Sequence, residues 1–67
     1  MMPRYLSTDE VHALLGGHVG TKRLREAARR HGAELGVKRH GRHLIWDRER
    51  LEAYLDRQFA QGGRLVL

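Results

Sequence analysis

The chain has 67 residues, 40% of them hydrophobic, with thirteen Lys plus Arg against eight Asp plus Glu and a net charge of +5. A chain of this length forms one domain and buries only about 60% of the surface it exposes when unfolded, so a deep enzymatic cleft is not expected. The apolar content is that of a folding chain, and the absence of cysteine excludes disulfide scaffolds, thiolate zinc sites and thiol catalysis. No apolar run is long enough to span a bilayer, and Met1-Met2-Pro3-Arg4 leads into no apolar h-region, so neither a membrane span nor a signal peptide is expected and the reading is a cytoplasmic protein.

The charge is unevenly placed. Arginine outnumbers lysine eleven to two, which a GC-rich codon bias explains without reference to function. Position says more than composition. Between Lys22 and Arg42 lie eight bases and only two acids, Glu26 and Glu34, while the remainder holds five bases and six acids. A basic middle between near-neutral ends points to one polyanion-binding face.

In chain order, Leu6-Ser7-Thr8-Asp9-Glu10-Val11 opens a helix. Ser7 and Glu10 have capping-box spacing, and Leu6 and Val11 that of a hydrophobic staple. Val11, Leu14 and Leu15 make an apolar stripe that Gly16-Gly17 ends. After the loop 16–20, a second helix is expected over 21–31, with Leu24, Ala27 and Ala28 inward and Gly32 as its stop. Lys22, Arg25, Glu26 and Arg29 then point outward, with Arg23 and Arg30 on the shoulders.

Residues 35–46 read as a hairpin. A two-residue turn at His40-Gly41 pairs Arg39 with Arg42, Val37 with Leu44 and Leu35 with Trp46 on one face. Asp47 caps a third helix, Trp46 and Leu51 form its staple, and Leu51, Tyr54, Leu55 and Phe59 form its stripe until Gln61-Gly62-Gly63. Trp46 and Tyr54 are expected in the core rather than stacked on bases. The tail 64–67 is apolar and has no assigned place in the core; a contact between adjacent copies, a core strand and a frayed end remain open for it.

The order helix, loop, basic helix, basic hairpin, helix defines an α+β, mostly helical domain over 1–67: a small winged helix-turn-helix with a two-stranded wing. Tyr5-Leu6-Ser7-Thr8-Asp9-Glu10-Val11-His12-Ala13-Leu14-Leu15-Gly16 and Gly41-Arg42-His43-Leu44-Ile45-Trp46-Asp47-Arg48-Glu49-Arg50-Leu51-Glu52-Ala53-Tyr54-Leu55 resemble the first helix and the wing-to-helix segment of the excisionase-type, MerR-like DNA-binding family. The resemblance spans about residues 5–55, with Gly17 and His18 lengthening the turn between the first two helices. It implies a protein, nucleoid-associated or in a phage host's cytoplasm, that binds repeated duplex sites beside neighbouring copies of itself. It further implies DNA bending and direction of an integrase toward excision. A small MerR-like transcription regulator and an RNA-binding or protein-interaction adaptor are the alternatives.

On this reading duplex DNA is the partner. Thr21, Lys22, Arg23, Arg25, Glu26, Arg29 and Arg30 form the recognition helix, where arginine can donate bidentately to guanine. Lys38, Arg39, His40 and Arg42 form a wing that reaches phosphate or the minor groove. No metal is expected: His40 and His43 are placed on opposite faces of the ribbon, and no carboxylate or thiol completes a ligand set. No cofactor, small-molecule substrate or catalysis is expected either, because the one serine is used as a cap and no nucleophile meets a base.

Overall fold

The computed structural model describes residues 3–62. Their order is β1 (Tyr5–Leu6), α1 (Thr8–Leu14), α2 (Thr21–Leu35), β2 (Lys38–His40), β3 (His43–Asp47) and α3 (Arg48–Gly62). This is a winged helix-turn-helix layout in which three helices pack with a three-stranded antiparallel sheet of order β1-β3-β2. The tail discussed above lies outside the described residues, of which no helix is long and apolar enough to cross a membrane.

The first helix forms as its sequence dictates. Glu10 N donates to Ser7 Oγ at 3.1 Å and Ser7 N donates to Glu10 Oε1 at 2.9 Å, so both arms of the capping box are closed. Gly16 and Gly17 follow with φ of 67° and 77°, a left-handed pair that ends α1 and reverses the chain. The long turn is pinned twice. Val19 is buried in the core, and its carbonyl accepts from His12 Nδ1 at 2.7 Å, which requires the proton on that nitrogen.

Helix α2 runs beyond the expected stop. Gly32 lies inside it, and only His31, with φ −126° and ψ 24°, departs from helical geometry. The helix resumes because Leu35 is wholly buried, and it closes at Gly36 in the left-handed conformation. There Val37 N donates to Gly32 O at 2.9 Å, the six-to-one bond of a Schellman motif. Leu35 therefore belongs to α2 and not to the hairpin.

The hairpin register also differs from the sequence reading. Lys38 pairs with Ile45, Arg39 with Leu44 and His40 with His43, so the two-residue turn is Gly41-Arg42. Gly41 has φ 63°, and no non-glycine residue among those described has positive φ. That is the φ pattern of a type II′ turn, which puts glycine at the first central position. A turn at His40-Gly41 would place glycine second instead. His40 and His43, being direct partners, share one face rather than lying on opposite faces.

The wing is joined by a third strand that sequence patterning does not reveal. Tyr5 pairs with Asp47 and Leu6 with Trp46, which ties the N-terminal segment to the end of β3. Leu6, Val11, Val19, Leu24, Ala27, Leu35, Trp46, Leu51 and Tyr54 form the core, with Trp46 and Tyr54 buried as expected. Trp46 Nε1 is satisfied by donating to Thr8 Oγ1 at 3.1 Å. Phe59 is an exception: it is 52% exposed, outside the expected stripe. One turn beyond Leu51, Tyr54 and Leu55 the half-buried position is Gln58, and Phe59 is rotated past the edge of the core.

Candidate nucleic-acid interface

Helix α2 turns Leu24 and Ala27 into the core and half-buries Ala28. Lys22, Arg23, Arg25, Glu26, Arg29 and Arg30 are all exposed, while Thr21 is half-buried behind the cap residue Gly20. The small alanine side lets the helix approach its neighbours closely. The outward cations result from the same periodicity.

Beside this helix the wing closes a groove of about 510 Å³. Its walls are Arg25, Ala28 and Arg29 from α2, Val37, Arg39, Arg42, His43 and Leu44 from the ribbon, and Ser7, Thr8 and Asp9 from the start of α1. Arg25, Arg29, Arg39 and Arg42 make no ion pair and no side-chain hydrogen bond with any other described residue. Four guanidiniums held this way, with one carboxylate among them, form a concentrated anion-attracting surface. Arg39 alternates along β2 to the side opposite Lys38 and pairs with the half-buried Leu44, so the inward face of the wing carries it to the groove.

The residues singled out from sequence thus separate. Arg25 and Arg29 of the helix meet Arg39 and Arg42 of the wing in one groove. Lys22, Arg23, Glu26 and Arg30 lie on the helix outside it, and Lys38 faces a second groove of about 540 Å³ on the other side of the ribbon. His40 is exposed and lines neither groove. Asp9, Ser7, Thr8 and His43 were not anticipated at the site. Neither His43 nor the start of α1 has a local sequence signal for its place there: strand alternation puts His43 on the face opposite Arg39 and Leu44, and the approach of α1 is set by tertiary packing. No group of three or more metal-ligating side chains is gathered among the described residues.

The second groove is built differently. Tyr5 and Ile45 are its exposed apolar residues, at 58% and 36%, and Arg4, Lys38, Asp47 and Arg50 border it. Arg4 is bound to Asp47 Oδ2 at 3.2 Å and to Glu49 Oε2 at 2.9 Å. Arg50 Nη1 donates to Ala33 O at 3.4 Å. The Arg4 guanidinium beside it holds the Asp47 carboxyl below its ordinary value, with backbone donors of Arg50 and Glu49 assisting against the cost of burial. Here Arg4 and Asp47 neutralise each other, while Lys38 and Arg50 have no carboxylate partner among the described residues. In comparisons with known proteins the chain matches no family model, no curated protein and no solved structure.

Proposed function

We propose that this chain binds duplex DNA, with α2 in the major groove and the β2–β3 wing against the neighbouring backbone. The observation that carries the proposal is the groove in which Arg25 and Arg29 of the helix and Arg39 and Arg42 of the wing meet without partners among the described residues. The arginines that tie chain segments together, Arg4, Arg48 and Arg50, each donate to a carboxylate or a backbone carbonyl, and among the described residues these four do not. A helix of fifteen residues with an exposed cationic side has the dimensions to enter a major groove, and a short ribbon beside it reaches the flanking phosphates. The resemblance of residues 5–16 and 41–55 to the excisionase-type family supports a role as an accessory factor that bends DNA beside an integrase, on repeated sites next to other copies.

Binding is tested by fluorescence anisotropy of the full chain with duplex DNA and with structured RNA across a salt series. Duplex binding should dominate, with log K falling linearly against log salt. Tighter binding to the RNA, or a flat salt dependence, sinks the proposal. The excision role is tested separately by adding the chain to a recombination reaction with an integrase from the same genome, where a shift from integration to excision is expected.

A further inference from the structure

The structure assigns the groove between α2 and the wing to the sugar–phosphate backbone, and so divides the exposed face of α2 into phosphate-holding and base-reading residues. This inference rests on the duplex-DNA reading above and goes beyond it by naming which side chains set specificity. The sequence alone makes base readers of Lys22, Arg25, Glu26 and Arg29 alike. The surroundings of the two arginines give them the other task.

At about 100° per residue, Leu24, Ala27 and Ala28 centre the buried side of α2, and the direction opposite it falls on Lys22 and Glu26. Arg25 lies on the shoulder turned toward the wing, and Arg29 lies between that shoulder and the outward direction. Both line the groove with Arg39 and Arg42, whereas Lys22 and Glu26 do not. When a helix occupies the major groove and a wing lies beside it, a strand of backbone must pass between them. The groove between α2 and the wing is the place for that strand, and four guanidiniums with no partner among the described residues suit phosphate oxygens on either side of it. Base edges are then left to the residues directed straight away from the core. Lys22 can donate to guanine acceptors and Glu26 can accept from cytosine N4.

Asp9 provides an independent handle. It is exposed in the first turn of α1, borders the same groove and has no ion-pair partner among the described residues. Across from a phosphate its charge is unfavourable, so it lowers affinity for every duplex alike. A backbone-filled groove therefore makes Asp9→Asn a gain of affinity, which no loss of folding can imitate.

The experiment selects preferred sequences from a random duplex pool with the wild type, Arg25→Ala, Arg29→Ala, Glu26→Gln and Asp9→Asn. Anisotropy with one selected and one scrambled duplex across a salt series, and a melting curve for each variant, complete it. Arg25→Ala and Arg29→Ala should keep the wild-type sequence preference and flatten the salt slope by about 1 each. Glu26→Gln should shift the selected sequence, and Asp9→Asn should bind both duplexes about two- to fivefold more tightly. A changed preference in either arginine variant, or unchanged affinity in Asp9→Asn, overturns the division while duplex binding itself stands. A wild-type chain that binds no duplex overturns the DNA reading and the division together.

Discussion

The arginines on the two sides of the wing are chemically identical and structurally opposite. On the side of β1 and α3, Arg4 is held by Asp47 and Glu49, Arg48 by Glu52 at 3.0 Å and by the Pro3 carbonyl, and Arg50 by the Ala33 carbonyl. On the side of α2, Arg25, Arg29, Arg39 and Arg42 converge without partners among the described residues. The first group ties chain segments together. The second leaves its electrostatic attraction to be satisfied from outside, at the cost of mutual repulsion in the free protein. Net charge alone does not separate these roles; the presence or absence of an internal acceptor does.

The comparison breaks most visibly if both groups are removed in turn. Changing Arg25, Arg29, Arg39 and Arg42 together to alanine should reduce the magnitude of the log K against log salt slope by roughly 3 to 4. The melting temperature should hold or rise, because repulsion is relieved. Changing Arg4 and Arg48 to alanine should do the reverse, lowering the melting temperature and leaving the slope unchanged. Equal losses of stability from the two sets would mean that the groove arginines are structural.

Two glycines sharpen the same contrast. Gly36 and Gly41 both have positive φ, 67° and 63°, and so both strain any other residue. Their surroundings differ. A Cβ at Gly36 would lie 2.7 Å from Arg50 Cδ and 2.8 Å from Asp47 Cβ, whereas at Gly41 it would meet nothing within 4 Å. Gly36→Ala therefore adds overpacking to backbone strain and should cost about 2 to 4 kcal/mol in urea denaturation, against about 1 kcal/mol for Gly41→Ala. Similar values for the two would show that the packing of α3 against the end of α2 is looser than the structure describes.

The parts of this fold legible in the sequence are those whose determinants lie within a few residues. The Ser7–Glu10 capping box, the Val11 and Leu24 stripes, the Asp47 cap with Glu49 N donating at 3.1 Å, and the left-handed glycines are such cases. The strand β1 is only two residues long and forms because Asp47 and Trp46, far along the chain, supply its partners. The hairpin register turns on whether Gly41 is the first or second turn residue, and apolar matching favours the wrong choice: it aligns Val37 with Leu44, whereas the strands pair Lys38 with Ile45 and Arg39 with Leu44. Helix α2 passes its apparent stop because burial of Leu35 outweighs the helix penalty of Gly32. The candidate site divides along the same line. Periodicity shows which α2 side chains face outward, but the wing selects Arg25 and Arg29 from them and α1 adds Asp9 by tertiary placement.

The smallest effect concerns pH and belongs to the tied side alone. Arg4 holds the folded-state pKa of Asp47 below its ordinary value of 3.8. A carboxyl depressed in this way stabilises the fold fully above its unfolded-state pKa, and the contribution disappears as pH falls through the lower folded-state value. The wild type should therefore exceed Asp47→Asn in stability by a constant margin at neutral and mildly acid pH, and the margin should shrink only below about pH 4. Asparagine is the right replacement because its side-chain oxygen can still cap α3, which isolates the charge from the cap. Urea denaturation of both proteins through the acid range measures it. The four-alanine groove variant should follow the wild-type acid profile, since its arginines pair with no carboxylate among the described residues. If the curves for the wild type and Asp47→Asn run parallel into strong acid, the ion pair with Arg4 does not stabilise the fold, and Asp47 serves only as the cap that joins β3 to α3.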